Sequence, residues 1–317
     1  MVCSMSPLLL ILVRFRRLSH SFRAMIDLHS HILPGIDDGA ENVDMSIAMA
    51  RASVANGVSV LACTPHILPG VYNNTGLQIR TAVAKLQQSL DELAIPLRLV
   101  AGADVHIAPS LVSAIRSGLV LTLHDSRYIL IELPHHVAPP RADEFFFSML
   151  AAGYVPIFTH PERLSWMHSS YDLLDRLVRS GVWVQITAGA LIGSFGKRAQ
   201  YLSEKMLADG FVHIIASDTH NTQRRPPVLG EAWEAARRLV GDKEAGHLVV
   251  TRPHGILRNE SPSKLPLPTP VADENEPPNY YGLKSHARGS VQFDRTYIDG
   301  DGGAGGGVLS RWMRRFF

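Results

Sequence analysis

Met25-Ile26-Asp27-Leu28-His29-Ser30-His31 opens the regular part of this chain. It reads as a short apolar strand that finishes in two imidazoles. Residues two apart on a strand point to the same face, so His29 and His31 converge on one point. Similar apolar runs recur at 58–63, 98–103, 128–132, 155–159, 182–187 and 212–216, the first being 25–29. Helical patterns fill the gaps at 42–56, 76–93, 109–118, 141–152, 170–180, 197–209 and 229–241. Residues 42–56 show the spacing, with Val43, Ile47, Ala50 and Val54 on one side. Gly153, Gly181 and Gly210 stand just past three of these helices, where a left-handed cap is expected. Seven strand–helix repeats without a hairpin signal imply a parallel sheet. That leaves a barrel or an open doubly wound sheet. No Gly-x-Gly-x-x-Gly follows the first strand, which counts against dinucleotide binding.

The chemistry lies at the strand ends. After the first strand come Asp37-Asp38-Gly39, and the second ends in Thr64-Pro65-His66. The third ends at Asp104, the fourth at Glu132, the fifth at His160-Pro161-Glu162-Arg163 and the seventh at Asp218-Thr219-His220. In a parallel barrel those ends share one face, where active sites form. So many carboxylates and imidazoles in one pocket would repel or stay partly protonated unless cations joined them. A metal centre follows. Its nitrogen and oxygen donors, without thiolate, suit Mn, Fe or Zn.

Composition removes other classes. The 317 residues hold 31 basic and 29 acidic side chains, a net charge of +2 that gives no bulk attraction to nucleic acid. The two cysteines, Cys3 and Cys63, cannot build a disulfide framework, which points to a reducing, cytoplasmic compartment. Neither has arginine six positions on (Leu9 and Pro69 stand there), so a Cys-x5-Arg thiol phosphatase loop is excluded. Residues 1–24 fall outside the repeat and read as an extension or a misassigned start. Residues 259–317, rich in Pro and Gly, read as a disordered tail that ends in cationic and aromatic residues. Either end offers a peripheral membrane contact, and homo-oligomerisation stays open. The folded unit is expected at 25–258.

In order along the chain, Met25 to His31, Asp37-Asp38-Gly39, Cys63-Thr64-Pro65-His66, Ser126 to Glu132, His160 to Arg163, Ala216 to Asn221 and Arg225-Pro226-Pro227 resemble the PHP superfamily. Within it they look most like the bacterial CpsB/CapC-type manganese-dependent protein-tyrosine phosphatases. The resemblance covers residues 25–258. It implies a distorted (β/α)7 barrel with terminal extensions and a three-ion Mn centre. His29, His31 and Asp218 would hold the first ion, with Asp104 bridging to a second held by Glu132 and His160. Asp38, His66 and His220 would hold the third, and Arg163 and Arg225 would contact phosphate. The pattern usually carries Glu where this chain has Asp104, so the bridge must reach from a shorter side chain. The implied substrate is a phosphotyrosine protein, a bacterial tyrosine kinase that controls capsule or exopolysaccharide synthesis. Competing readings are another PHP phosphoesterase acting on histidinol phosphate or nucleotides, a metallo-amidohydrolase, and a non-catalytic kinase-binding protein. His135 and His136 could reach a leaving oxygen but read better as exposed loop residues. His106 fits no ligand position in this reading.

Overall fold

The apolar runs become strands close to where their sequence places them. The computed structural model describes residues 24–271. Its strands are β1 (Met25–Asp27), β2 (Val58–Cys63), β3 (His66–Leu68), β4 (Tyr72–Asn73), β5 (Arg98–Ala101), β6 (Asp104–His106), β7 (Tyr128–Glu132), β8 (Val155–Thr159), β9 (Trp183–Thr187) and β10 (Ile214–Ala216). The helices are α1 (Val43–Ala55), α2 (Gly76–Glu92), α3 (Leu111–Arg116), α4 (Ala142–Ala151), α5 (Tyr171–Ser180), α6 (Ala188–Leu191), α7 (Lys197–Ala208), α8 (Leu229–Gly246) and α9 (Arg252–Leu257). Local signals start the first two long helices. Asn42 accepts from the Met45 N–H ahead of α1, and Thr75 with Gln78 forms a reciprocal capping box ahead of α2.

The strands run in the order β1-β2-β5 and β10-β9-β8-β7-β6-β3-β4. All pair in parallel except β3 with β4, a hairpin that the sequence did not signal. The two sheets are halves of one interrupted ring. The expected strand 98–103 breaks at Gly102, so that β5 pairs with β2 while β6 pairs with β3. A Cβ on Gly102 would lie 2.9 Å from Leu123 Cδ2 and 3.1 Å from Thr64 Cγ2, so a larger residue would have to displace these side chains. On the other side the ring meets through a single parallel bridge, Ser30 with Thr219. The Asp218 N–H donates to the His29 carbonyl and the His31 N–H to the Thr219 carbonyl, both at 2.9 Å. This is the distorted α/β barrel that the motifs imply. The first and last strands are joined only at their ligand-bearing ends.

Two apolar clusters line the sheet. Ile26, Leu28, Val100, Leu130, Ile157 and Ile214 belong to the inner one, and the larger outer one packs the helices. The other end of the ring is filled from the C-terminal side. Ile256 and Leu265 join the inner cluster. The fully buried Arg252 pairs with Glu244 at 2.7 Å and donates to the carbonyls of Pro266 (2.7 Å) and His213 (3.2 Å). Asn259 Oδ1 accepts from the Arg127 backbone at 2.9 Å, Tyr128 Oη donates to the Glu260 carbonyl at 2.8 Å, and the Val271 N–H donates to the Ala208 carbonyl at 2.8 Å. Packing therefore runs past residue 258 to the end of the described residues. The composition of 259–271 is tail-like, yet one leucine and a series of backbone carbonyls give it a seat. Residues 1–23, nearly all of the expected leader, and 272–317 lie outside the described residues, and with them the expected membrane contacts. No helix among the described residues is long and apolar enough to cross a membrane.

A chain ending at 258 strips Leu265 from its cluster and removes the Pro266 carbonyl from Arg252 Nε and the Glu260 carbonyl from Tyr128 Oη. Denaturant unfolding should show it less stable by about 2–4 kcal/mol than a chain ending at 271, from lost apolar burial and unpaired buried donors. Equal stability of the two would contradict this packing.

Candidate metal centre

The strand ends bring the expected donors together. His31, Asp38, His66 and His220 offer ligand atoms within 4.8 Å of one another, and so do His29, His31 and Asp104. Two further groups on the same scale are His66, His106 and Glu132, and Glu132, His135 and His160. Asp218 joins through Oδ1, at 3.2 Å from His31 Nε2 and 3.4 Å from His29 Nε2. Asp38 is 46% exposed, and His66, His106 and His135 are partly buried; the other side chains are almost wholly buried. Asp104 lies between the groups. Its Oδ2 is 3.5 Å from His29 Nε2, 3.5 Å from His66 Nδ1 and 4.0 Å from His160 Nε2.

Local backbone makes this convergence. His160 and Asp218 stand at strand ends with φ of 38° and 50°, conformations rare for residues with a side chain and a cost that the surrounding fold must offset. Gly39 turns the loop after the first strand back on itself. A Cβ there would lie 2.0 Å from the His31 carbonyl oxygen, and without one the loop delivers Asp37 and Asp38 beside His31.

The outer ring nitrogens are held as metal-ligating imidazoles usually are. His31 Nδ1 meets Asp37 Oδ2 at 2.7 Å, and His29 Nδ1 meets Gln185 Oε1 at 2.8 Å. His220 Nδ1 lies 3.0 Å from the Asp218 carbonyl. The inward atoms are left over. Both oxygens of Asp104, Glu132 Oε2, His66 Nδ1 and His220 Nε2 are buried without a hydrogen-bond partner. Groups of this kind are costly unless something pairs with them, and a hard or borderline divalent cation suits the donor set. The residues present therefore fit a metal centre.

The electrostatics agree. Burial alone would raise the Asp218 carboxyl, but His29, Arg225, His31 and Arg163 outweigh it and hold the group well below the usual carboxylate range. Burial opposes a proton on His31, yet Asp37 and Asp218 lift it to about 10. That is the signature of a field that favours positive charge. Burial, reinforced by Arg163, keeps His160 well below the usual imidazole value, and burial with His31 lowers His220 to about 4. Neutral imidazoles are the form that binds metal.

Both expected phosphate contacts sit on one carboxylate oxygen. Arg163 Nη1 and Arg225 Nη2 each donate to Asp218 Oδ2. Arg225 Nε is buried and unpartnered. The half-buried ring of Phe195 lies beneath both guanidiniums, 4.7 Å from Arg163 Cζ and 6.0 Å from Arg225 Cζ.

Several residues have roles that the sequence did not suggest. Gln185, on β9, orients His29. Glu162 Oε1 accepts the Thr187 N–H at 2.8 Å and ties the Pro161–Arg163 turn to the end of β9. His135 is not a detached loop residue, since its Nε2 lies 3.2 Å from Glu132 Oε1. His106, set aside as an ordinary histidine, lies 2.5 Å from Glu132 Oε2. Its signal was available, because Asp104-x-His106 repeats the two-residue spacing of His29-x-His31. Cys63 is wholly buried and free, as a core residue should be.

A parallel α/β ring whose strand ends carry a buried set of nitrogen and oxygen donors defines a metal-binding barrel. A family model for capsular polysaccharide synthesis, CpsB/CapC, matches residues 25–258. Tyrosine-protein phosphatase YwqE of Bacillus subtilis is 36% identical, covering 78% of this chain and 96% of that protein. Putative tyrosine-protein phosphatase CapC of Staphylococcus aureus is 31% identical over 77% of this chain and 95% of its own length. Crystal structures of YwqE from Bacillus subtilis and CpsB from Streptococcus pneumoniae describe them as unique metal-dependent tyrosine phosphatases. One of these matches with a TM-score of 0.73 and 35% identity, over 78% of this chain and 99% of that one. The chain belongs to the CpsB/CapC family, as its motifs suggest.

Gln185→Leu removes the acceptor that fixes His29. Titration of the metal-stripped protein with a divalent ion should show affinity lowered roughly 10–100-fold. Unchanged affinity would sink this orienting role.

Proposed function

We propose that the protein is a metal-dependent protein-tyrosine phosphatase that uses manganese. The observation that carries the reading is the sharing of Asp218, whose Oδ1 faces His29 and His31 while its Oδ2 holds Arg163 and Arg225. A metal site and an oxyanion site thus meet at one side chain. The assignment is a three-ion centre. His29, His31 and Asp218 would hold the first ion, and Asp104, with Glu132 and His160, would serve the second. Asp38, His66 and His220 would hold the third. Bound divalent ions supply positive charge to the phosphoryl group and lower the pKa of water to about 7.

The chain's own groups bind and orient the substrate. Arg163 and Arg225 receive the non-bridging phosphate oxygens, for which planar guanidinium donors are well matched. Asp218 holds them in place, and the free Nε of Arg225 gives one more donor. Phe195 adds an aromatic surface beside the phosphate site, which suits an aryl ester. The leaving phenol has a pKa near 10, so departure needs less help from an acid than an alkoxide would. We assign the physiological substrate to the phosphotyrosines of a bacterial tyrosine kinase that drives capsule or exopolysaccharide synthesis. This reading places the enzyme in the cytoplasm, where the free thiol of Cys63 is at home.

Turnover of para-nitrophenyl phosphate and of a phosphotyrosine peptide should stop in EDTA and return with Mn2+. Turnover that persists without metal would overturn the reading, and faster hydrolysis of histidinol phosphate would reassign the substrate. Phe195→Ala should raise KM for the phosphotyrosine peptide about 5–10-fold, equivalent to about 1 kcal/mol of aromatic contact, with kcat changed less. An unaltered KM would remove Phe195 from substrate recognition.

A further inference from the structure

We propose that His106 is a further metal ligand, closing on the ion held by Glu132. It rests on the metal-dependent reading above, and it adds a donor that neither the motif pattern nor the three-ion assignment contains. Four observations support it. First, β6 presents Asp104 and His106 two residues apart, so both side chains leave the same face of a paired strand. Second, His106 Nε2 lies 2.5 Å from Glu132 Oε2, yet that oxygen has no hydrogen-bond partner of acceptable geometry. Both atoms are of the kind that ligate a divalent ion, and they stand side by side. Third, His66, His106 and Glu132 form a group with metal-site spacing. Fourth, Asp104 Oδ2 stands 3.5 Å from both His29 Nε2 and His66 Nδ1 and 4.0 Å from His160 Nε2, so it reaches the edge of this group without filling it. On its Oε2 side Glu132 meets His106, which adds an imidazole donor beside His66.

His135 also touches Glu132, but through Oε1 at 3.2 Å, from a loop and with its side chain 33% exposed. His106 is held on a strand and is 17% exposed. The simpler alternative is that His106 only hydrogen-bonds Glu132 and positions it. The test must separate a ligand from a positioning partner.

The full chain, stripped with EDTA, is titrated with Mn2+ as wild type, His106→Ala and His106→Gln. Bound metal is measured by elemental analysis, and coordinated imidazole nitrogen by pulsed electron paramagnetic resonance. Glutamine keeps a hydrogen bond to Glu132 but carries no imidazole, and circular dichroism checks that each variant is folded. The proposal expects both variants to bind one of the ions at least about 100-fold more weakly, beyond the usual loss from an outer-sphere change. It also expects the imidazole signal to fall in His106→Gln when metal is forced in at high concentration. Wild-type stoichiometry and an unchanged nitrogen signal in His106→Gln would overturn the ligand role while leaving the metalloenzyme intact. A wild-type chain that takes up no Mn2+ would overturn both readings together.

Discussion

Asp218 is one buried carboxylate with two sets of claimants, and the layout of the site depends on how its oxygens are divided. Oδ1 faces His29 and His31, and Oδ2 takes Arg163 and Arg225. Burial of such a group is costly unless it is paired on every side. The fold meets that cost by meeting its first and last strands at this point, through the Ser30–Thr219 bridge and the Asp218-to-His29 backbone bond. The strained φ of Asp218 belongs to the same arrangement. Ring closure, metal donors and phosphate donors are therefore one feature.

This coupling gives the centre a stability consequence. Orphaned carboxylate and imidazole atoms at Asp104, Glu132, His66 and His220 make the folded chain hold a concentrated electrostatic penalty. An ion that binds the folded state and not the unfolded one offsets it by mass action. Outside the ion positions the imidazoles are held by an amide, a carboxylate and a backbone carbonyl, Gln185 on His29, Asp37 on His31 and the Asp218 carbonyl on His220.

Much of this was legible in the sequence because barrel geometry converts strand ends into one face. The nine candidate ligands and two arginines named from spacing and resemblance all fall in one region. What escaped notice did so for physical reasons. The β3–β4 hairpin and the break at Gly102 are invisible to apolar patterning, because 98–103 is continuous in hydropathy while its pairing partner changes. Phe195 is carried to the site by a loop between Gly193 and Gly196, far in sequence from either arginine. Gln185 reads as an ordinary strand residue until the His29 ring is placed against it. Leu265 sits in a proline-rich stretch whose average composition hides a single buried anchor.

The most direct test of the shared carboxylate is calorimetric titration of Asp218→Asn with Mn2+ and then with inorganic phosphate, beside wild type. The account predicts that the substitution weakens both ligands together, since one side chain serves both. Loss of metal binding with phosphate affinity intact, or the reverse, would contradict it.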